Sequence, residues 1–599
     1  MKLWSISTTV RNPERLRNFL KVLKFLECRK FNQENQKKYQ ILLIQNRYYI
    51  PNHIPDEFKD YYQNVELEIP YQVAEEIFNY QKYKDPAMRG RQSVNPLNKL
   101  GFCIARESLE NILITELGNK FLSDEYDISY IFLKSLLKLQ FPNPWSYDFS
   151  EKDGFDIQPL IATMHLIDKV NTKSKDKKGL TQTEFSIFVP SLINYDLIEE
   201  YTNKILDYRN TNDKNRFIID FAKEFYKIEE PTKKQINNFF EYGDNIMRYF
   251  RLTKLFKVTT DKFGGNWTIN LEPSRKTEID QILSTFSGKS LKFKEMDEYL
   301  KYIKDISLPR LPFEEIENLK DISNNLIKNI RFFVIENNQE LNDKEKEILN
   351  TDFNKYSKND LNVFIEKLRK LNLNIRNRYY RNYLKNNTAE IENIINSLKN
   401  YKEIKKYEPE KFEKLITDAL RILNDEIEIR PNYPVDDNGE PISHASGKKP
   451  DIECFYKNYN AICEVTLDTT NFQWIRETQP VMRHLRKFEE KYSEKDNYCL
   501  FIAPKIHDDT VYHFWMSIKH GYDQKKQNII PITTEQFAIL LETLLILWQR
   551  QERLSHLKLK ELYDLIISKT NEFEGHSNWI SIIPHIINEW KSKVLNYGN

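Results

Sequence analysis

No stretch of this sequence approaches eighteen consecutive apolar residues, the length that a membrane-spanning helix needs. The first twenty residues also lack the apolar run and small-residue cleavage site of a secretory leader. A cytoplasmic protein with no membrane partner is the expectation. Cysteine is scarce: Cys28, Cys103, Cys454, Cys463 and Cys499 are odd in number, scattered and never spaced CxxC, which argues against a disulfide framework and against a structural zinc site. His507, His513 and His520 are too loosely spaced to suggest zinc, and no Walker A motif is present to suggest ATP-driven movement. Charge of one sign is lacking as well. The 90 Lys and Arg are offset by 88 Asp and Glu, so affinity for a polyanion would have to come from local clustering.

What is present is an ordinary globular composition. With 40% hydrophobic residues, 34 Tyr and 36 Phe, the chain can bury real cores, and at 599 residues it is too long for one. The stretch 313–408 contains neither Gly nor Pro, places apolar residues three and four apart, and lies between Pro312 and Pro409. It reads as long helices forming a linker, 301–405, between an N-terminal region, 1–300, and a C-terminal domain, 406–599.

Two upstream segments share an order of helix, strand, turn and strand. In the first, LGFCIA (100–105) and Ile112 to Thr115 flank a polar turn, and the helix ELGNKFL follows. In the second, a helix near 234–253 leads to FKVTT, a Gly264–Gly265 turn and WTINL, a hairpin signal. Thr181 and Glu184 in TQTEF have capping-box spacing and mark another helix start after the basic loop KSKDKKG. Helices followed by short hairpins suggest winged-helix-like modules, a common way to lay a helix in a DNA groove. A purely structural role for them stays open. Two basic stretches could meet phosphate or bases. One is 367–385, which carries Arg376, Arg378 and Arg381 among tyrosines with no acidic residue; the other is a loop with Arg89 and Arg91 beside the Asn95–Pro96 pair. Such charge runs are often only solvated faces.

The region from Phe412 to Pro504 carries most of the chemistry. A helix (KFEKLITDALRILN), a weak strand (IEIR), the alternating strand DIECFY, a KNYN turn into AICEVT, a helix (QWIRETQPVMRHLRKFEEKY) and the apolar run NYCLFIA give the order αβββαβ. Asp451 opens one strand of the hairpin and Glu464 lies in the other, so the two carboxylates converge on one edge of a small sheet. Paired carboxylates make a hard-oxygen site suited to Mg²⁺, and such an ion suits phosphodiester hydrolysis. Glu413 on the preceding helix and Glu477 on the following one are further candidates, as is His484, seven residues and two turns beyond Glu477. Pro-Asp, twelve residues and Glu is by itself a weak pattern, and glutamates on charged helices are usually solvated.

The residues SHASGKKPDIECFY, AICEVT, ETQPVMRHL, YCLFIAP and QFAIL, and more weakly RNPERL, AMRGRQ, LNKLGF, ITELGNKFL and TINLEPSR, resemble the AlwI-type family of type IIS restriction endonucleases, whose relatives include strand-specific nicking enzymes. The resemblance spans most of the chain. It implies an α+β multidomain protein: an N-terminal winged-helix-like DNA-recognition region, a helical linker, and a C-terminal domain of the PD-(D/E)xK nuclease class. It also implies that Glu413, Asp451, Glu464 and Glu477 form the nuclease centre. Asp451 and Glu464 would hold Mg²⁺, and Glu477, aided by His484, would orient the water. The position two after Glu464, normally Lys in this class, is Thr466, a substitution that the family shares. The implied partners are double-stranded DNA, a transient homodimer or a separate small nuclease subunit for the second strand, and a companion DNA methyltransferase. A nicking enzyme, the large subunit of a two-chain enzyme, and a DNA-binding regulator that has lost catalysis are the alternatives.

Overall fold

The computed structural model describes residues 1–7, 10, 12–63, 67–109, 111–123, 127–143, 149–176, 178–423, 425–445 and 449–596. Of the motifs quoted above, residues 11, 177, 424 and 446–448 lie outside that set. The described residues bury three large hydrophobic cores along the chain. One gathers residues from Leu3 to Ile282 together with Leu311 and Ile442, a second runs from Leu319 to Ile375, and a third from Leu384 to Val594.

In the N-terminal body, α1 (Gln33–Gln45) packs against α2 (Pro86–Lys99). The sequence reading of 86–99 as a loop is corrected here: it is a helix, begun by the Asp85 side chain accepting from Met88 N–H and by Pro86 in the first turn. Pro96 is accommodated near the other end. Gly90 makes the packing possible, because a Cβ there would stand 2.0 Å from the Gln36 carbonyl oxygen. A two-stranded hairpin follows, β1 (Cys103–Ile104) and β2 (Leu113–Ile114), and then a helix at Glu116–Leu122. Further on come α3 (Pro159–Lys173), β3 (Leu180–Thr181), α4 (Gln182–Ser191), α5 (Lys233–Arg251), β4 (Phe256–Thr260) and β5 (Trp267–Leu271). The strands form an antiparallel sheet in the order β3-β5-β4. Thr181 and Glu184 make the full capping box that starts α4. The backbone at Gly243 of α5 lies so close to Ser186 of α4 that no side chain fits between them.

The Gly- and Pro-free stretch holds α6 (Ile316–Glu336) and the 29-residue α7 (Lys358–Asn386), which pack together around Leu326, Ile330, Phe364 and Leu368. This segment therefore has a core of its own. At 1.5 Å per residue α7 is about 43 Å long. It begins in the middle core, and its Leu384 belongs to the C-terminal one.

The C-terminal body opens with α8 (Pro409–Leu423), whose Phe412, Ile416, Ala419, Leu420 and Leu423 are buried at helical spacing. Then come β6 (Glu428–Pro431), β7 (Ile452–Phe455), β8 (Tyr459–Val465), α9 (Phe472–Lys491), β9 (Asp496–Ala503), α10 (Asp508–Lys519) and β10 (Ile529–Thr533). The five strands lie in the order β10-β9-β8-β7-β6. β6, β7 and β8 are antiparallel, and β8, β9 and β10 are parallel. β8 is central and buried along almost its whole length, whereas β7 alternates buried and half-buried residues. Three more helices, Thr534–Gln549, His556–Ser568 and His576–Asn596, complete the body. No described helix is long and apolar enough to cross a membrane. Cys103, Cys454, Cys463 and Cys499 are buried free thiols and Cys28 is an exposed one.

Candidate active site

The β7–β8 hairpin sets two carboxylates side by side. Its register pairs Ile452 with Cys463, and one step further Asp451 stands opposite Glu464. Val465 N–H donates to Asp451 Oδ2 at 2.8 Å, which fixes that carboxylate against the neighbouring strand. Side chains two apart on a strand share a face, so Thr466 falls beside Glu464. Its hydroxyl donates to Glu477 Oε1 at 3.0 Å, bringing in a third carboxylate from the first turns of α9. The fourth arrives from α8: Glu413 is buried, and its Oε2 accepts from Ala445 N–H at 3.0 Å.

His484 joins the cluster through Glu464. Nδ1 lies 2.8 Å from Glu464 Oε1, and both side chains are buried. It steadies Glu464, and its charge also acts on Glu477. Glu477, two turns earlier on the same helix, in turn acts on Glu464 through its charge.

Burial raises the pKa of all four carboxyls, and neighbouring carboxylates of the cluster add to it at Glu413, Asp451 and Glu464. Burial, with Asp451 nearby, pushes Glu413 up to about 9. Burial and the charge of Glu464 raise Asp451, burial and Glu477 raise Glu464, and burial raises Glu477 against the opposing hydrogen bond from Thr466. The buried site thus disfavours the ionised form of every member of the cluster. Among the described residues no group of three or more His, Cys, Asp or Glu side chains is arranged to hold a metal ion. Mg²⁺, however, is commonly held by one or two protein carboxylates, with water and substrate phosphate supplying the rest, and the Asp451–Glu464 pair fits that chemistry.

The five arginines proposed for DNA contact are placed mostly against partners within the chain. Arg91 donates to Gln36 Oε1 at 2.8 Å and pairs with Asp85 at 2.6 Å. Arg378 makes two bonds to Glu345, at 2.8 and 3.2 Å, and Arg381 lies 3.7 Å from Glu426. Arg376 covers the Phe333 ring at 4.3 Å and bonds Asn372, and Arg89 stacks on Tyr83 at 4.6 Å. Within the acid-free run on α7, Arg369, Arg378, Arg381 and Lys385 thus meet acids distant in sequence. Sequence reasoning also missed the roles of Thr466, Val465 N–H and Ala445 N–H. The first was legible from strand periodicity alone, whereas backbone donors leave no trace in residue identity.

Residues 98–540 match the AlwI restriction endonuclease family. The chain belongs to that family. It is a site-specific deoxyribonuclease, and the carboxylate cluster lies within the matched span. Three solved structures are similar at low TM-score. The small subunit R.BspD6I2 of the heterodimeric restriction endonuclease R.BspD6I is 24% identical, with 32% of this chain and 98% of that one covered, at a TM-score of 0.27. Restriction endonuclease FokI is 10% identical over 94% of this chain and 99% of its own, at 0.22. Its DNA-bound form is 10% identical over 90% and 98%, at 0.21. No curated protein matches.

Proposed function

We propose that this AlwI-family enzyme is of type IIS: an N-terminal region recognises a short asymmetric site, and a C-terminal PD-(D/E)xK domain hydrolyses a phosphodiester at a fixed distance from it, with Mg²⁺. The observation that carries the reading is Asp451 opposite Glu464 at the end of an antiparallel hairpin, with Glu413 and Glu477 brought in by the helices before and after it. The αβββαβ order from Pro409 to Ala503 supports the nuclease class. The succession α3, β3, α4, α5, β4, β5, with strand order β3-β5-β4, supports a winged helix with an insertion between its second and third helices.

When bound, Mg²⁺ would supply Lewis acidity at the scissile phosphate and lower the pKa of a bound water. Asp451 and Glu464 would hold it, each kept in place by its own partner, Val465 N–H and His484 respectively. Glu477, oriented by Thr466, faces the site with a raised pKa, which suits a group that accepts a proton from the attacking water. Glu413 completes the carboxylate ring from α8. Thr466 brings no positive charge, so hydroxide stabilisation rests on the cation and on backbone dipoles.

One such centre cuts one strand. Cutting both would take a second centre, from a transient homodimer or a separate small subunit. A companion methyltransferase would protect the host's own sites. Incubating the purified chain with supercoiled plasmid in Mg²⁺ or EDTA, and sequencing the ends, tests the proposal. Metal-dependent linear product with ends at one distance from a shared motif supports it in full. Open-circular product alone makes the chain a nickase or a large subunit, and intact plasmid under both conditions refutes the nuclease assignment.

A further inference from the structure

We infer that the solvent-facing side of α2 reads base edges in the DNA major groove, with Gln92 and Asn95 as specificity-determining side chains. The inference deepens the reading of this chain as a sequence-specific DNA-cutting enzyme. It starts from how α2 sits. One side is packed away, with Ala87, Gly90, Val94 and Leu97 buried and Gly90 pressed against the backbone of α1. The other side carries the exposed Met88 and the half-buried Gln92 and Asn95, spaced four and three apart, so they form one stripe along the helix.

The ground on either side of that stripe is concave. Three cavities, of about 390, 330 and 440 Å³, adjoin α2; Gln92 borders all three and Asn95 two of them. Their walls are basic. Arg106 and the Asp85-paired Arg91 line the first, Arg15, Arg47 and Arg89 the second, and Lys2 and the buried Lys99 the third, while Glu107 is the one acid among these lining residues. Arg15 donates to the Tyr48 carbonyl at 2.7 Å and Arg47 to that of Tyr61 at 2.8 Å, contacts that order a guanidinium without cancelling its charge. A chain of nearly balanced overall charge has therefore gathered cations beside one helix that carries amide side chains. Basic flanks suit two phosphate backbones, and a ridge of amides between them suits the groove floor.

The other helix that leads into a hairpin is a weaker candidate. α5 is fastened to α4 at Gly243, and its exposed and half-exposed positions include Glu241 and Asp244, which would repel phosphate. The chemistry of the α2 stripe names its ligand. Asn and Gln each match the N6 donor and N7 acceptor of adenine with two hydrogen bonds, so both residues should specify A·T pairs. Arg91 is assigned a supporting part, because its bonds to Asp85 and Gln36 tie the start of α2 to α1.

The full chain is incubated with a pool of duplex DNA carrying a randomised block, once in Mg²⁺ with sequencing of cut ends and once in EDTA with selection by gel shift. Gln92→Ala and Asn95→Ala are each expected to lose adenine preference at one position of the selected motif, by roughly 10- to 100-fold. The dependence of binding on salt should stay as in wild type. Gln92→Glu and Asn95→Asp keep the shape but only accept, and should move the preference toward cytosine, whose N4 donates. An unchanged motif in all four variants overturns the inference. So does a wild-type chain that selects no motif in either arm. A wild type that selects a motif by gel shift but cuts nothing refutes the nuclease assignment and leaves α2 under test by the same variants.

Discussion

The crowded carboxylates make a prediction about stability that is independent of cutting. A free glutamate loses its proton near 4.5, whereas Glu413 in the folded chain holds it up to about 9, through burial and the neighbouring Asp451. Between those limits unfolding releases a proton, so stability falls as pH rises, by up to about 1.4 kcal/mol per pH unit. From pH 5.5 to 7.5 that is at most about 3 kcal/mol, or about 6 to 12 °C in the melting temperature of a body of roughly two hundred residues. Glu413→Gln keeps an oxygen to accept from Ala445 N–H but cannot ionise. Melting of the metal-free variant is therefore expected to match wild type near pH 5 and to exceed it increasingly toward pH 8. Saturating Mg²⁺ should narrow the gap by favouring the ionised cluster in the wild type. Thermal melts from pH 5 to 8, with and without Mg²⁺, check this. Parallel curves for the two proteins in metal-free buffer would show that Glu413 carries no such strain.

Asp451→Asn or Glu464→Gln should lower the cleavage rate by several kcal/mol of barrier, on the order of 10³-fold or more, while gel-shift binding persists; full activity in either variant removes both residues from the centre. Thr466→Val deletes a hydrogen bond to a carboxylate worth about 1.5–3 kcal/mol, so single-turnover cutting should slow by about 10- to 100-fold with DNA affinity unchanged. Arg275 makes a two-bond pair with Asp437, at 2.7 and 3.1 Å, and overcomes the effect of burial to hold that carboxyl down at about 2. Arg275→Ala leaves a buried charge unpaired, and urea unfolding at pH 7 should show a loss of about 3–5 kcal/mol that begins to shrink while pH is still above the ordinary carboxylate range, because burial then raises the Asp437 carboxyl without Arg275 to oppose it. Arg378→Ala should lower the melting temperature yet leave the salt dependence of DNA binding as it was; a slope shallower by about one would restore Arg378 to phosphate contact.

The loop between β6 and β7 links the two ends of the chain. Asp437 pairs with Arg275, Asn438 donates to Glu272 at 3.0 Å, and Ile442 is buried in the N-terminal core. Three residues further on, Ala445 holds Glu413. The segment anchored on the N-terminal body is thus also the one that positions a member of the carboxylate cluster.

Local pattern alone determined a good deal of this protein. The capping box at Thr181, the hairpin with its Gly264–Gly265 turn, the helices without Gly or Pro and the αβββαβ order all depend on neighbours a few residues apart, where period and turn chemistry act directly. The facing of Asp451 and Glu464 was legible for the same reason, because a short hairpin sets its own register. Tertiary structure decided what depends on distant partners. It turned Pro86–Lys99 into a helix by seating Gly90 on Gln36, gave Arg378 and Arg381 their acids, and drew Glu413 and Glu477 to the hairpin from two separate helices. It also assigned His484 to Glu464. Each of these rests on packing across a sheet or between helices, where the contacting atoms are set by the whole core and no spacing along the chain records them.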